Sequence, residues 1–191
     1  MRKLPRFKET NIEAVFNDLK LKGLIKKDRI LVASKCESGL RAKGKEIIYN
    51  PLFSDFNKDN LKYLLLHEEA HLTHFQHSSW IIILVFILAF GAYYHSKNIW
   101  IAFAGLILPL FIFRRFITKD ELAADLWSAE QLKLNFKITK PSKIMESTYK
   151  EFKLHRKERN FISKTCTMLI RLFCYHPPFD KRIEYVRVRV E

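Results

Sequence analysis

The segment Tyr63–His77 reads YLLLHEEAHLTHFQH, and its interpretation decides the fold. The apolar and ionisable residues predict a long helix that starts near Asn57, a residue type that often caps helix N-termini. His67 and His71 are four residues apart, so on a helix they project from one face, one turn from each other. The segment therefore places two imidazole rings, with Glu68 beside them, on a helix whose preceding residues are apolar.

Two imidazoles at this spacing can hold one metal ion, and Glu68 lies where it can take a proton from a metal-bound water molecule. HExxH also arises by chance, and the two histidines would then be satisfied by neighbours on an ordinary amphipathic helix. The apolar stretch Leu64–Leu66 favours the metal site, because paired ionisable residues on a buried helix are costly without a purpose. The sequence thus predicts His67 and His71 as ligands and Glu68 as a general base.

A hydrolytic zinc site needs a third protein ligand and an open position for water, and the sequence offers two candidates. His77 has the spacing of the third histidine in HExxHxxGxxH sites, but position 74 is histidine instead of the glycine that turns the chain back. A continuing helix would carry His77 about 9 Å along its axis from His71.

The second candidate is Glu121, the first residue of the motif ELAAD. Glu121 and Asp125 share one helical face, so one carboxylate can bind metal while the other hydrogen-bonds the outer nitrogen of a ligating imidazole. Ala123 and Ala124 would let this helix pack closely against the HExxH helix. Glu121 could instead be a helix-start residue favoured by the helix dipole, although this would not explain Asp125.

Residues 78–113 form a 36-residue stretch with one formal charge, Lys97. Two apolar runs of 15 residues, Trp80–Tyr94 and Ile99–Phe113, flank the tripeptide Ser96-Lys97-Asn98. Each run makes about 22 Å of helix, against about 30 Å of bilayer hydrocarbon, and Pro109 is expected to tilt or kink the second run. We interpret the stretch as a transmembrane helical hairpin that turns at Lys97; the alternative is a buried core hairpin of a soluble protein.

The basic residues predict the orientation of this hairpin. Lysine and arginine number 15 before it, one in its turn and 18 after it, which predicts a multi-pass cell-membrane protein with both termini and the catalytic domain on the cytoplasmic side. The formal charge of +14 fits attraction to the anionic headgroups of a lipid bilayer. Without a recognisable reading motif, we expect no specific nucleic-acid partner. With 48% hydrophobic and 28% charged residues, the chain is neither disordered nor mostly membrane.

Before the HExxH helix, residues 8–25 show helical spacing of apolar side chains. Arg29–Ser34 and Lys45–Pro51 read as short strands separated by a turn, and together they predict a β-hairpin. The region at Asn50-Pro51 could offer an edge strand to an extended peptide. This part of the chain therefore predicts a small N-terminal β element.

After the apolar stretch, a helix is predicted from Thr118 or Asp120 to Leu134. Two further helices are expected at Ser142–Glu158 and Asn160–Tyr175. The residues His176-Pro177-Pro178 are then predicted to interrupt the helical structure, and a short tail follows from Phe179.

Taken in order, the motifs LLLHEEAH, two apolar segments, ELAADLWSAE and YHPPFDKRI resemble the HtpX-type and CAAX-prenyl-protease-type membrane metallopeptidases, which are gluzincins. The resemblance spans about residues 45–183, and the chain resembles a minimal, single-hairpin version of that family. It implies one Zn²⁺ per chain, with His67, His71 and Glu121 as ligands. Glu68 would be the general base.

The resemblance also implies three further roles around the zinc. Asp125 would orient a ligand histidine, and His176 would stabilise the tetrahedral intermediate as a second catalytic residue. Arg182 would be a supporting ion-pair partner. His176 could instead belong to a proline-stiffened turn that only packs.

The predicted fold is α+β and mainly helical: a gluzincin-like zinc metallopeptidase domain with a small β element and an inserted transmembrane hairpin. Residues 1–77 and 114–191 would form the two parts of the catalytic domain, and residues 78–113 the hairpin. The expected function is a membrane-anchored zinc endopeptidase that cuts protein substrates at the cytoplasmic face. The alternative is a catalytically silent, zinc-dependent membrane sensor or regulatory protein.

Overall fold

The computed structural model describes residues 10–35, 39–74, 84, 87–91, 93–95, 97–155 and 177–191. Within these ranges the longer helices are α1 (Asn11–Leu21), α2 (Lys58–His74), α3 (Ile99–Phe136), α4 (Pro141–His155) and α5 (Phe179–Val190). The strands are β1 (Ile30–Ala33), β2 (Leu40–Lys43) and β3 (Glu46–Tyr49), and a 3-10 turn covers Pro51–Phe53. Residues 84, 87–91 and 93–95 are also helical. The fold is mainly helical with a small sheet, which agrees with the predicted α+β class.

The three strands form one sheet in the order β1-β3-β2. β3 is central: it pairs in parallel with β1, with Leu31 opposite Ile47, and antiparallel with β2, with Ala42 opposite Ile47. The tight turn between β2 and β3 contains Gly44 at φ +61°, a left-handed conformation that glycine adopts without steric cost.

The sheet corrects two sequence predictions. The predicted β-hairpin between the two strand segments is wrong, because β1 and β3 are parallel and the hairpin is formed by β2 and β3. The segment that contains Leu40–Lys43, predicted as a turn, is the missing strand. It is only four residues long and carries two basic residues, so the usual β-branched signal is absent.

The core lies between α1, α2, the sheet and the C-terminal helices. α1 buries one face, Ile12, Val15, Phe16 and Leu19, against α2, which contributes Leu61 and Leu64–Leu66. Asn57 caps α2 as predicted, since its Oδ1 accepts a hydrogen bond from the Asp59 amide at 2.9 Å. Because α2 is buried on several faces, the HExxH motif at its centre is held rigidly.

Helix α3 corrects a predicted boundary. A separate helix was expected to begin at Thr118 or Asp120, but one continuous 38-residue helix runs from Ile99 to Phe136. Residues 114–120 contain neither glycine nor proline, so nothing in the local sequence ends the helix there. The helix begins where a turn was predicted: Lys97 is left-handed at φ 53°, and the Asn98 side chain accepts from the Trp100 amide.

The predicted tail after Phe179 is also wrong, because it is helix α5. Its buried residues, Arg182, Ile183, Val186 and Val190, follow the spacing of one helical face. α5 packs on α3 and α4. The Glu191 carboxylate accepts from the Ser142 amide at the start of α4, which fixes the end of the chain to the body.

Much of the predicted transmembrane hairpin, and the predicted helix Asn160–Tyr175, lie outside the described residues. Among the described residues, no helix combines the length and apolar character needed to cross a membrane. In the part of the segment that is described, several large apolar side chains are exposed, including Ile87, Phe90 and Trp100.

Candidate metal centre

Helix α2 presents both HExxH histidines toward α3. His67 is buried and His71 is partly exposed, and their rings meet edge to face with the two Nε2 atoms 3.0 Å apart. The leucines before the motif are buried in the core, so the helix cannot rotate without exposing them. The orientation of the two imidazoles therefore follows from the packing of α2.

Glu121 on α3 completes a group of three ligand atoms. Its Oε2 lies 3.6 Å from the Nε2 of His67, and its Oε1 lies 3.3 Å from the Nε2 of His71. Ala124 on the same helix is fully buried, and α3 is in extensive contact with α2. The small side chain allows the close approach that brings Glu121 to the histidines.

Asp125 lies behind the histidines and is completely buried. It accepts a hydrogen bond from the Tyr63 hydroxyl and two from the Arg182 guanidinium, each at 2.6 Å. Its Oδ1 also lies 3.0 Å from the Nδ1 of His67, although the angle departs from that of a regular hydrogen bond. The outer nitrogen of one imidazole thus faces a carboxylate, the arrangement that orients a ligating histidine.

Arg182 on α5 bridges the two carboxylates of α3. Besides its paired contact with Asp125, its Nη1 lies 3.1 Å from Oε2 of Glu121. The planar guanidinium suits such a paired contact, because its donors match the spacing of carboxylate oxygens. Three helices are therefore tied together at one buried point.

The buried charges around Asp125 shift the pKa values of His67 and of Asp125 itself. Burial opposes charge on His67, but the adjacent Asp125 and Glu121 carboxylates outweigh it and raise the pKa of His67 from 6.5 to about 10. Burial would raise the pKa of Asp125, but the hydrogen bonds from Arg182 and the adjacent His67 ring lower it to about 2. Two carboxylates face one arginine, so the site favours one further positive charge, which a proton on His67 supplies.

The residues present fit a zinc ion on two counts. Tetrahedral zinc binds nitrogen and oxygen ligands at about 2.0–2.2 Å, which separates the ligand atoms by about 3.3–3.5 Å. The separations here are 3.0, 3.3 and 3.6 Å. Two imidazoles and one carboxylate are also a common ligand set of catalytic zinc. Within the described residues this is the one group of three such side chains that could hold a metal.

Glu68 contacts the edge of the sheet, where its Oε2 accepts a hydrogen bond from the Ala42 amide at 2.6 Å. A cleft of about 550 Å³ opens here. Its lining includes residues of β2, both histidines, Glu68 and Glu121, together with Phe152, Phe179 and Arg182. The candidate base and the candidate ligands therefore share one cavity.

Strand β2 is the edge of the sheet that borders this cleft. The Asn50 amide donates to the Gly39 carbonyl, and bonded pairs alternate along an antiparallel ladder. The backbone N–H and C=O groups of Arg41 therefore bond to β3, while those of Leu40 and Ala42 point outward from the open edge of the sheet. The bond from Ala42 to Glu68 agrees with this alternation. The prediction of an edge strand at Asn50-Pro51 is therefore wrong. The strand that ends before these residues is β3, and it is paired with β1 on one side and β2 on the other.

The structure brings together His67, Glu68, His71, Glu121, Asp125 and Arg182. His176 and His77 lie outside the described residues, and His74 is the last residue of α2. Sequence reasoning missed Tyr63, whose hydroxyl donates to Asp125. Tyr63 precedes His67 by four residues, so helical spacing could have placed it on the same face. Sequence reasoning also missed β2, for which the sequence carried no clear signal.

A buried HExxH helix that faces a carboxylate from a second helix, with a glutamate at an open cleft, defines a metallopeptidase centre of the gluzincin type. A family model described as peptidase family M48 matches residues 33–190. The chain belongs to peptidase family M48, the HtpX-type and CAAX-prenyl-protease-type metallopeptidases, and is a hydrolase. Members of this family are zinc metallopeptidases. No match was found among curated proteins or among solved structures.

Proposed function

We propose that this protein is a membrane-anchored zinc endopeptidase that hydrolyses peptide bonds of protein substrates. One observation carries the proposal: ligand atoms of His67, His71 and Glu121 all lie within 4.8 Å of one another, in the same cleft as Glu68. A site that only stored or sensed zinc would have no need of a glutamate at that position.

The proposed mechanism assigns a task to each residue. His67, His71 and Glu121 would hold the metal, which when bound would lower the pKa of a water molecule to about 7 and polarise a carbonyl. Glu68 takes a proton from the attacking water and delivers it to the leaving amine. Asp125 keeps the ring of His67 in the ligating orientation.

His176 is proposed, from the family resemblance, to stabilise the oxyanion of the tetrahedral intermediate. Arg182 contributes indirectly, by holding the carboxylates of Glu121 and Asp125 in place at 3.1 and 2.6 Å. The oxyanion role has a direct test: His176→Ala should lower kcat with little change in zinc content, and an unchanged kcat would contradict it.

The substrate is proposed to bind as an extended segment along β2. The Ala42 amide already donates to Glu68, so the backbone groups of Leu40 and the Ala42 carbonyl are the outward-facing groups suited to pair with another strand. Such pairing is tolerant of side-chain sequence. Such pairing would place the peptide across the cleft beside Glu68. N-methylation of the peptide amides should weaken cleavage, and cleavage that is indifferent to N-methylation would contradict the pairing.

Membrane anchoring is supported by the exposed apolar side chains between residues 84 and 100. Ile87, Phe90 and Trp100 are 62%, 70% and 76% exposed, although such residues are usually buried. Beside them, the Lys97 ammonium lies 4.1 Å from the centre of the Tyr94 ring. Aromatic and basic residues of this kind are typical of the membrane–water boundary.

We further propose that the segment 78–113 crosses the membrane twice, with both termini and the catalytic domain in the cytoplasm. The test places a single cysteine at Ser96 or at Ser163, in a background without Cys36, Cys166 and Cys174, and adds a thiol-labelling reagent outside intact cells. The proposed orientation requires labelling at Ser96 only. Labelling at Ser163 alone would reverse the orientation.

The experiment for catalysis compares casein cleavage by the detergent-purified, zinc-loaded protein and its Glu68→Gln variant. We expect cleavage to fall about 10²- to 10⁴-fold, the usual contribution of a general base, with zinc content unchanged. Glu130→Gln, at an exposed position of α3, is the matched control and should cut normally. A parent that binds zinc but cuts neither casein nor other unfolded proteins would favour the zinc-dependent membrane sensor.

A further inference from the structure

Glu69, the residue after the proposed base, forms a buried ion pair that the proposed mechanism does not use. Its Oε2 lies 2.9 Å from the Nε of Arg29, and their side chains are only 3% and 6% exposed. The Thr73 hydroxyl donates to the other oxygen of Glu69 at 2.8 Å. Since an apolar pair often serves stability as well as a buried ion pair, a second role for this pair is worth testing.

Arg29 extends the connection from α2 to the turn between β2 and β3. Its Nη1 donates to the Gly44 carbonyl at 3.2 Å. The adjacent Ile30 amide donates to Lys45 in the same turn at 3.0 Å. Lys20 of α1 donates to the Arg29 carbonyl, so Arg29 is itself held in place. The turn that ends β2 is thereby fixed to the helix that carries the candidate metal ligands.

Two consecutive residues of α2 thus contact the same β-hairpin in different ways. Glu68 accepts directly from Ala42 in the strand, and Glu69 reaches Gly44, two residues further on, through Arg29. Because β2 is an edge strand of four residues, its few ladder bonds alone define its position weakly. The second connection fixes its distance from Glu68.

We propose that Arg29 and Glu69 are positioning residues that hold the outer edge of β2 beside Glu68. An extended peptide paired with β2 then presents its scissile bond to the base, so the inference rests on the proposed peptidase function. Loss of the pair would let β2 shift relative to Glu68, and displacements of about 1 Å can cost about 10²-fold in rate. The ion pair would act on substrate alignment, in addition to any effect on stability.

The first test needs no activity. Arg29→Met/Glu69→Leu replaces the ion pair by apolar side chains and should keep the protein folded, whereas Arg29→Met alone leaves Glu69 charged and buried. In the zinc-loaded double variant, we expect hydrogen exchange of the Ala42 amide to quicken at least about tenfold. Exchange should change little at Tyr49 in central β3, whose backbone bonds toward β1. Exchange at Ala42 that matches the parent would overturn the proposal.

The second test uses a peptide from casein that the parent cuts, with and without N-methylation at the amides that pair with β2. The parent should prefer the unmodified peptide, and the double variant should lose about tenfold of this preference, mainly through KM. A purely structural role would slow both peptides equally and leave their ratio unchanged, which would contradict positioning.

Ile12→Ala is the matched control, because Ile12 is fully buried in the core and its loss destabilises the protein without touching the turn. Its preference between the two peptides should equal that of the parent. If the parent cuts no peptide at all, the proposed function fails, while the exchange of Ala42 still decides whether Arg29 and Glu69 position β2.

Discussion

The candidate metal centre and the segment between residues 84 and 100 depart from the usual pattern of burial in opposite directions. At the centre, Glu121, Asp125 and Arg182 are charged residues that are at most 8% exposed. In the segment, Phe90 and Trp100 are large apolar residues that are at least 70% exposed. Charges inside a protein need partners, and apolar groups outside it need another apolar surface.

The two regions differ in whether their side chains find interaction partners within the chain. The buried charges find their partners within the chain, since Asp125 accepts from both Tyr63 and Arg182. The exposed aromatic residues are surrounded by little else of the described chain, which is why we propose the bilayer as their partner. Each region can be disturbed separately, and the expected effects fall on different measurements.

The largest effect is expected from Arg182→Met, which leaves Asp125 and Glu121 buried without their counter-charge. Breaking one partner of a buried ion pair typically costs about 3–5 kcal/mol. The midpoint of urea unfolding of the zinc-free protein should therefore fall strongly.

Arg187→Met on the same helix is the control, because its ion pair with Glu184 is exposed and should change the free energy of unfolding by less than about 0.5 kcal/mol. If both variants unfold at the same urea concentration as the parent, the buried network does not carry the stability assigned to it.

The next effect concerns the exposed apolar segment. Replacing Phe90, Tyr94 and Trp100 by serine removes three large side chains, and the fraction of protein that floats with phosphatidylcholine–phosphatidylserine vesicles should drop by at least about tenfold. Cleavage of casein in detergent should be unchanged. These outcomes would separate membrane attachment from catalysis.

A matched variant replaces Leu21, Leu134 and Leu154, which are 75–89% exposed on the body of the protein, by serine. It removes similar apolar area away from the segment and should float like the parent. Equal flotation of all three proteins would show that these aromatic side chains do not attach the protein to the vesicles.

A smaller effect is the pH dependence of zinc binding. Without metal, Asp125 and Glu121 raise the pKa of His67 to about 10, so at neutral pH zinc must displace a proton from its imidazole. The fraction of unprotonated His67 rises with pH up to that value. The apparent zinc affinity should therefore increase about tenfold per pH unit between pH 7 and 8.5 from this residue alone.

Competition with a chelator of known affinity at each pH would measure this slope. In Asp125→Asn the carboxylate that favours the protonated ring is lost, so the slope above pH 7 should become shallower. A parent affinity that is constant over this range would mean that His67 is unprotonated before zinc binds.

The sequence predicted which residues lie together at the candidate site better than it predicted the pairing of the strands. His67, Glu68 and His71 follow from local spacing on one helix, and the ELAAD motif placed Glu121 and Asp125 on one face of another. Helix periodicity is a local property, so α1, α2 and α4 were predicted close to their observed bounds. Strand pairing depends on residues far apart in the chain, and the sequence did not show that β1 and β3 are parallel.

The buried network was also only partly predictable. The family resemblance suggested Arg182 as an ion-pair partner, but the segment that contains it was expected to be a tail. Tyr63, Arg29 and Glu69 were not singled out at all. Their roles depend on which elements pack against α2, and an arginine 40 residues from its glutamate has no signature in local spacing.

By itself, the sequence determined which groups are available for the proposed chemistry: two imidazoles one helical turn apart, a glutamate beside them, a carboxylate pair on a second helix and one nearly uncharged stretch. These follow from residue type and the helical period. Only the tertiary structure decided that Glu121 joins the histidines, that Arg182 neutralises the carboxylates, and that β2 rather than β3 borders the cleft. Such contacts arise from packing between distant segments, whose geometry is set by burial of the whole core.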